Sequence, residues 1–410
     1  MNPTPLTRLV LAWVVLALTV GSAGATPQPV PLRIPVAIAA EARTEASKTR
    51  LTITLSQEVE AQGFLMERPD RVVIELPEIN FQLPPQAGIR RDGLIASFRY
   101  GLYAPDRSRI VIDLTQPALI SRLDVTTRPS DGAALMTIEL VRTDRESFRQ
   151  AVRPPDPPST GSISSSAAPG PADPRPLIVL DAGHGGIDPG ALASTGVFEK
   201  DIVIAFAHRL RERLLADGNY RVLLTREGDV FVSLDERVRM ARAARADLFI
   251  SIHADSISSA PHVRGGTVYT GAERATDAES ANLADRENQA DAVAGHDSRG
   301  GSNEVADILH ELMLRETRGF SHRFAKKLLG QLGPVMPLSK KPHREAGFRV
   351  LRAPDVPSVL VELGYLSSRK DIDLLTSDAW RDRTAAAMTA AINQFFGARV
   401  AGQRLAPVSP

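Results

Sequence analysis

Leu177-Ile178-Val179-Leu180-Asp181-Ala182-Gly183-His184-Gly185-Gly186 is an apolar run that stops on a polar, glycine-rich turn. Two later stretches share the design. Leu248-Phe249-Ile250-Ser251-Ile252 runs into His253-Ala254-Asp255, and Val359-Leu360-Val361 runs into Glu362-Leu363-Gly364-Tyr365. Short β-rich runs of this kind read as buried parallel strands. Ligands of open α/β sheets bind beyond the carboxyl ends of the strands. His184, His253 and Glu362 are therefore expected to converge on one site, with Glu199 contributed by the segment after the first run.

The surrounding pattern from about residue 176 to 400 alternates strands and helices. A helix is expected near Glu199–Asp217, where Ile202, Phe206, Leu210 and Leu214 recur at helical spacing and Gly218 stops the run. Further strands are expected at Arg221–Leu224 and Gly266–Tyr269, and further helices near Leu234–Ala246 and Asp378–Phe396. The reading is a three-layer α/β domain with a mostly parallel sheet. A long stretch, 276–316, interrupts it. It holds two helical patterns, Ala278–Val293 and Asn303–Leu314, the second with Val305, Ile308, Leu309 and Leu312 on one face.

Upstream, residues 30–146 read as an all-β sandwich with an internal repeat. Arg50-Leu51-Thr52-Ile53-Thr54-Leu55 matches Arg109-Ile110-Val111-Ile112-Asp113-Leu114, and Arg71–Leu76 matches Leu135–Leu140. Each alternates apolar and polar residues, as half-buried strands do. Two copies of a strand pair point to two sheets packed face to face. Residues 147–175 are rich in Pro, Ser, Gly and Ala and read as a tether. Residues 1–25 read as a secretory signal peptide: Arg8, an apolar stretch from Leu9 to Val20, then Ala23-Gly24-Ala25. That places the mature protein outside the cytoplasm without a retained transmembrane segment.

Composition narrows the chemistry. The chain of 410 residues has no cysteine, so a thiol nucleophile, an iron–sulfur cluster and a cysteine-bound structural zinc are excluded. The formal net charge of +1 gives no electrostatic case for nucleic acid. A metal here must be held by imidazole and carboxylate, the composition of an open catalytic zinc site. His184, Glu199 and His253 are the expected Zn2+ ligands. Glu362, among Val359, Val361 and Leu363, is the expected catalytic base, desolvated and raised in pKa. Asp181 and Asp255 are expected either to orient the imidazoles or to cap loop N–H groups.

At these residues the sequence resembles a family. Val179 to Ala191, Glu199-Lys200-Asp201, Leu224-Thr225-Arg226, Phe249 to Asp255 and Pro357 to Tyr365 are similar, in order, to the zinc-dependent N-acetylmuramoyl-L-alanine amidases of bacterial cell division. The resemblance implies hydrolysis of the amide between N-acetylmuramic acid and L-alanine in peptidoglycan. It implies that the β-rich repeat is a peptidoglycan-binding localisation module, acting in the periplasm at the division septum. It also implies that the insertion is a regulatory plug, with Glu287 as an inhibitory metal ligand, removed by an activator protein with a degenerate metallopeptidase-like domain. The apolar face around Ile308 is the expected dock for that activator. The competing expectations are a zinc peptidase cutting peptidoglycan cross-links, and an inactive wall-binding or activator protein.

Overall fold

The computed structural model describes residues 34–402, apart from 46, 85–86, 90, 105, 130–131, 153–172, 258–262 and 294–307. The signal-peptide reading and most of the tether fall outside the described residues.

Nine strands build the first layer pair: β1 (Val36–Glu45), β2 (Lys48–Leu55), β3 (Gln62–Met66), β4 (Arg71–Pro77), β5 (Asn80–Phe81), β6 (Ile95–Ala104), β7 (Arg107–Leu114), β8 (Ala118–Thr127) and β9 (Ala134–Arg142). A short helix, α1 (Arg145–Ala151), follows them. They form two sheets, ordered β5-β1-β2-β9-β8 and β3-β4-β7-β6. Alternation decides which side chains meet: Leu51, Ile53 and Leu55 of β2 and Met136, Ile138 and Leu140 of β9 face Val72, Ile74, Ile110 and Ile112 of the other sheet. The repeat is present but crosses over. Each copy gives one strand to each sheet, so β2 pairs with β9 and β4 with β7, both antiparallel. Strands β4 and β7 also bury their second face. Val73 and Val111 pack with Met66, Tyr103, Ile187 and Phe231, the last two from the following domain.

The second domain comprises β10 (Leu177–Ala182), α2 (Glu199–Ala216), β11 (Arg221–Leu224), α3 (Leu234–Ala243), β12 (Leu248–His253), β13 (Gly266–Gly271), α4 (Ala278–Glu287), α5 (Ala290–Val293), α6 (Ile308–Leu332), β14 (Leu338–Ala346), β15 (Ser358–Glu362), α7 (Arg369–Leu375) and α8 (Asp378–Gly402). Its sheet runs β11-β10-β12-β15-β13-β14. All neighbours are parallel except β13 and β15. Every residue of β10, β12 and β15 is buried, because α2, α6 and α8 cover one face and α3 and α4 the other. This double burial is why those strands read as continuous apolar runs.

The insertion departs from the expected pair of helices. The first breaks after Glu287, giving α4 and α5. The second does not end near 314: α6 continues to Leu332, burying Phe324, Ala325 and Leu328 beneath the sheet. Val305, and the side chains of Ile308, Leu309 and Leu312, lie outside what is described. Among the described residues no helix is long and apolar enough to cross a membrane.

Candidate active site

β10, β12 and β15 are adjacent, so their C-terminal ends bring His184, His253 and Glu362 together. The turn after β10 does the positioning. His184 itself has φ 57°, in the left-handed region, and Gly186 has φ 56°. Gly183 is needed for space: a Cβ there would sit 2.4 Å from Cε1 of His253. The two imidazoles meet edge to face with centroids 4.9 Å apart. Two buried arginines fasten the turn. Arg237 donates to the carbonyls of Ala182 and His184, both at 2.8 Å, and Arg226 donates to those of Ala182 and Gly183, both at 2.9 Å.

Glu199, the first residue of α2, is fully buried. Its Oε1 accepts from the Ala254 N–H (2.8 Å) and its Oε2 from the Ala191 N–H (3.0 Å). These bonds aim the carboxylate at both rings, 3.2 Å from Nδ1 of His253 and 3.2 Å from Nε2 of His184. Nδ1 of His184 is bonded to Oδ2 of Asp188 at 2.8 Å. Nε2 of His184 is buried and makes no hydrogen bond. A buried imidazole nitrogen with no hydrogen-bond partner, 3.2 Å from a carboxylate, suits a metal ligand, so the residues fit a metal ion.

The insertion closes the site from above. Ser280, Leu283, Ala284 and Glu287 recur along one face of α4 and are buried against the sheet. Oε2 of Glu287 lies 3.2 Å from Nδ1 of His253 and 3.7 Å from Nε2 of His184. The potential ligand atoms of His184, His253 and Glu287 all fall within 4.8 Å of one another. Arg286 forms a close ion pair with Asp255. A cavity of about 10 Å³, lined by His184, His253, Glu287, Arg237 and Phe348 among others, remains beneath the insertion, room for one water at most.

A model of the N-acetylmuramoyl-L-alanine amidase family matches residues 178–394, and one of the AMIN domain matches residues 39–135. The chain is 34% identical over 373 residues to N-acetylmuramoyl-L-alanine amidase AmiC of Neisseria meningitidis, covering 85% of this chain and 87% of that one. It is 31% identical over 363 residues to AmiC of Escherichia coli O6:H1, covering 84% and 86%. The chain belongs to the N-acetylmuramoyl-L-alanine amidases. Among solved structures it is similar to amidase AmiC2 of Nostoc punctiforme (27% identity, TM-score 0.39, covering 54% of this chain and 97% of that one). The enzyme is thus an amidase of peptidoglycan, with a localisation domain ahead of its catalytic domain.

The electrostatics of the amidase site follow from crowding. Burial pushes Glu362 well above the carboxylate range, and Glu199, Asp255 and Glu287 push it further. Its Oε2 accepts from the Asp255 N–H at 3.0 Å, while Oε1 is buried without a partner. Burial raises Glu287 to about 7, opposed by His253 and His184. Glu199 behaves oppositely: burial would raise it, but His184 and His253 hold it well below 4.5. Crowding therefore biases Glu362 and Glu287 toward their neutral forms and leaves Glu199 ionised.

The two aspartates expected beside the imidazoles do other work. Asp181 accepts from Thr225, Ser251 and Arg237, each at 2.6 Å, forming a buried anchor under the turn. Asp255 pairs with the insertion. The residue that orients His184 is Asp188, missed in the sequence although it lies four residues beyond the histidine.

Proposed function

We propose that this amidase is a secreted, autoinhibited zinc enzyme of the periplasm, acting at the division septum to release stem peptides from the glycan. The proposed division is signal 1–25, localisation sandwich 30–146, tether 147–175 and catalytic domain 176–400 with its regulatory insertion at 276–316. His184, Glu199 and His253 would hold Zn2+, and Glu287 would occupy the remaining position at rest. A zinc ion supplies Lewis acidity there, polarising a carbonyl oxygen and acidifying water. The protein supplies the rest. Glu199 stays ionised under its backbone N–H bonds. Asp188 fixes the tautomer of His184. Glu362 takes the proton of the attacking water and passes it to the nitrogen of L-alanine as the amide breaks. Departure of Glu287 removes one of the negative charges that raise Glu362, easing its ionisation when substrate enters.

The observation that carries autoinhibition is the Glu287 carboxylate seated between the two imidazoles, with about 10 Å³ left free. No glycopeptide enters such a space, so the insertion must leave first. An activator protein is the proposed agent. The test is dye release from labelled sacculi by purified protein alone. Glu287→Ala and a deletion of 278–293 are expected to work without an activator while the wild type is slow. Equal rates for all three would overturn the plug. Free stem peptides among the products support the amidase reading, and cleaved cross-links would support a peptidase.

A further inference from the structure

Arg344 lies on β14 beside Tyr269 of β13, on the sheet face that α4 covers. Its side chain is only 7% exposed. A guanidinium cannot shed its charge, so it needs carboxylate or carbonyl partners when buried. Those it has come mostly from the insertion. Nη1 lies 2.9 Å from Oε2 of Glu279 and 3.4 Å from Oδ1 of Asp277, the N-cap of α4. Outside the insertion, among the described residues, it donates to the carbonyl of Lys341 at 3.2 Å. The other oxygen of Glu279 is buried without a partner.

When the insertion leaves, both carboxylates leave with it, and Arg344 faces the opened cleft uncompensated. We propose that Arg344 is the receptor for a carboxylate on the third residue of the stem peptide, and that Glu279 occupies its place in the closed state. The proposal rests on the plug reading above. Helix α4 then imitates the substrate twice, with Glu287 at the metal site and Glu279 at Arg344. These residues are eight apart, about 12 Å along a helix. An extended peptide covers that distance in three to four residues. The glycan side of the scissile bond offers no carboxylate, because the lactyl carboxyl is consumed in the amide itself. A guanidinium in the cleft therefore marks the peptide side and sets its direction, from the ends of β12 and β15 toward β14. Arginine also suits carboxylate geometry better than a point charge does.

The experiment uses full-length Glu287→Ala with zinc bound and two soluble disaccharide tripeptides. Both carry diaminopimelic acid at the third position, with its side-chain carboxylate free in one and amidated in the other. The free acid is expected to be preferred about tenfold to a hundredfold in kcat/KM, the scale of a charged hydrogen-bonded pair. Adding Arg344→Gln should erase that preference by raising KM for the acid while leaving the amide unchanged. Arg344→Lys should keep part of it. Calorimetric affinity for the free tripeptide product should fall in parallel. A uniform loss on both substrates, or no preference in the Glu287→Ala parent, overturns the proposal. If Arg344→Gln does not fold, Arg344→Lys decides the matter: a reduced acid-to-amide ratio supports the assignment and an unchanged one overturns it. Failure of the plug reading shows separately, as equal rates on sacculi for wild type and Glu287→Ala, while the acid-to-amide ratio still reads Arg344.

Discussion

Oδ2 of Asp188 holds Nδ1 of His184 at 2.8 Å, and this bond leaves Nε2 facing Glu199 and Glu287. Both side chains are buried. Burial alone would discharge His184, but Asp188, Glu199 and Glu287 raise its pKa well above 6.5 in the absence of a cation. An aspartate in this position sets which ring nitrogen is free to bind metal. Asp188→Ala is expected to weaken zinc binding by about tenfold to a hundredfold, the usual cost of losing such a partner. Competition with a chelator measures it, and an unchanged zinc affinity would remove Asp188 from the metal site.

Gly183 makes a sharper steric prediction. Its missing side chain is the space filled by the His253 ring, with Cε1 and Nε2 at 2.4 and 2.5 Å from an ideal Cβ. Backbone on both sides is pinned by Arg226 and Arg237, so the ring must yield rather than the turn. Gly183→Ala should displace His253 and lose zinc while the sheet still forms. Metal content per folded protein, with circular dichroism as the control, reads both halves. Full zinc occupancy would show that the turn can relax.

The strand-end site was legible because its strands are buried on both faces: Leu177–Leu180, Leu248–Ile252 (Ser251 aside) and Val359–Val361 are apolar without alternation. What was not legible depends on partners far along the chain. Asp181 is tied to Arg237, fifty-six residues later, and a carboxylate at a strand end gives no sign of that. The polar strand Leu338–Ala346, with Lys340, Lys341 and Pro342, shows no apolar run or alternation; it is an edge strand paired with β13. The break after Glu287 is equally hidden. Asn288 there bonds the Gly347 carbonyl and the Arg349 N–H, contacts no local pattern announces. The repeat revealed similar strands, but similarity cannot say that copies exchange strands between sheets.

Glu199 and Glu362 are both fully buried carboxylates, yet their surroundings push them apart. Two backbone N–H groups and two imidazoles favour ionised Glu199, while three carboxylates disfavour ionised Glu362. That split fits the proposed roles of ligand for Glu199 and base for Glu362. Glu362→Gln is expected to keep zinc and to lower kcat by roughly 10²–10⁴-fold. Glu199→Gln is expected to lose zinc. If the glutamine at 362 empties the site and the one at 199 leaves it full, the roles are reversed.

Acid should weaken the sandwich through Asp113. Burial pushes this carboxyl up, but Arg99 at 2.6 Å and Arg71 at 2.9 Å outweigh it and hold it below 3.8. A folded pKa below the unfolded one means that the stabilisation is complete above about pH 4 and is lost as pH falls through the folded value. Asp113→Asn should cost about 1–3 kcal/mol at pH 7. The gap from wild type should shrink below about pH 4. Urea unfolding of the sandwich at pH 7 and pH 3 makes the comparison, and a gap independent of pH would exclude the ion pairs as its source.

The sandwich and the catalytic turn meet through backbone. The Leu102 carbonyl of β6 accepts from the Ile187 N–H at 3.1 Å and the Phe231 N–H at 3.3 Å. β6 is an edge strand, and these bonds help cover an edge that would otherwise be open. Two glycines allow the approach: a Cβ on Gly101 would sit 2.5 Å from the carbonyl carbon of Gly186, and one on Gly186 would sit 1.9 Å from the Leu102 oxygen. Neither backbone can give way cheaply, since Gly186 also accepts from Lys200 at 2.9 Å. Gly101→Ala should therefore part the two surfaces locally, at a cost of about 1–3 kcal/mol as in other overpacked contacts. Hydrogen exchange at the Ile187 and Phe231 amides should speed up, while amides inside the sandwich, such as Ile53 and Ile138, keep their protection. Unchanged exchange at Ile187 and Phe231 would mean that the Leu102 carbonyl does not hold the turn in solution.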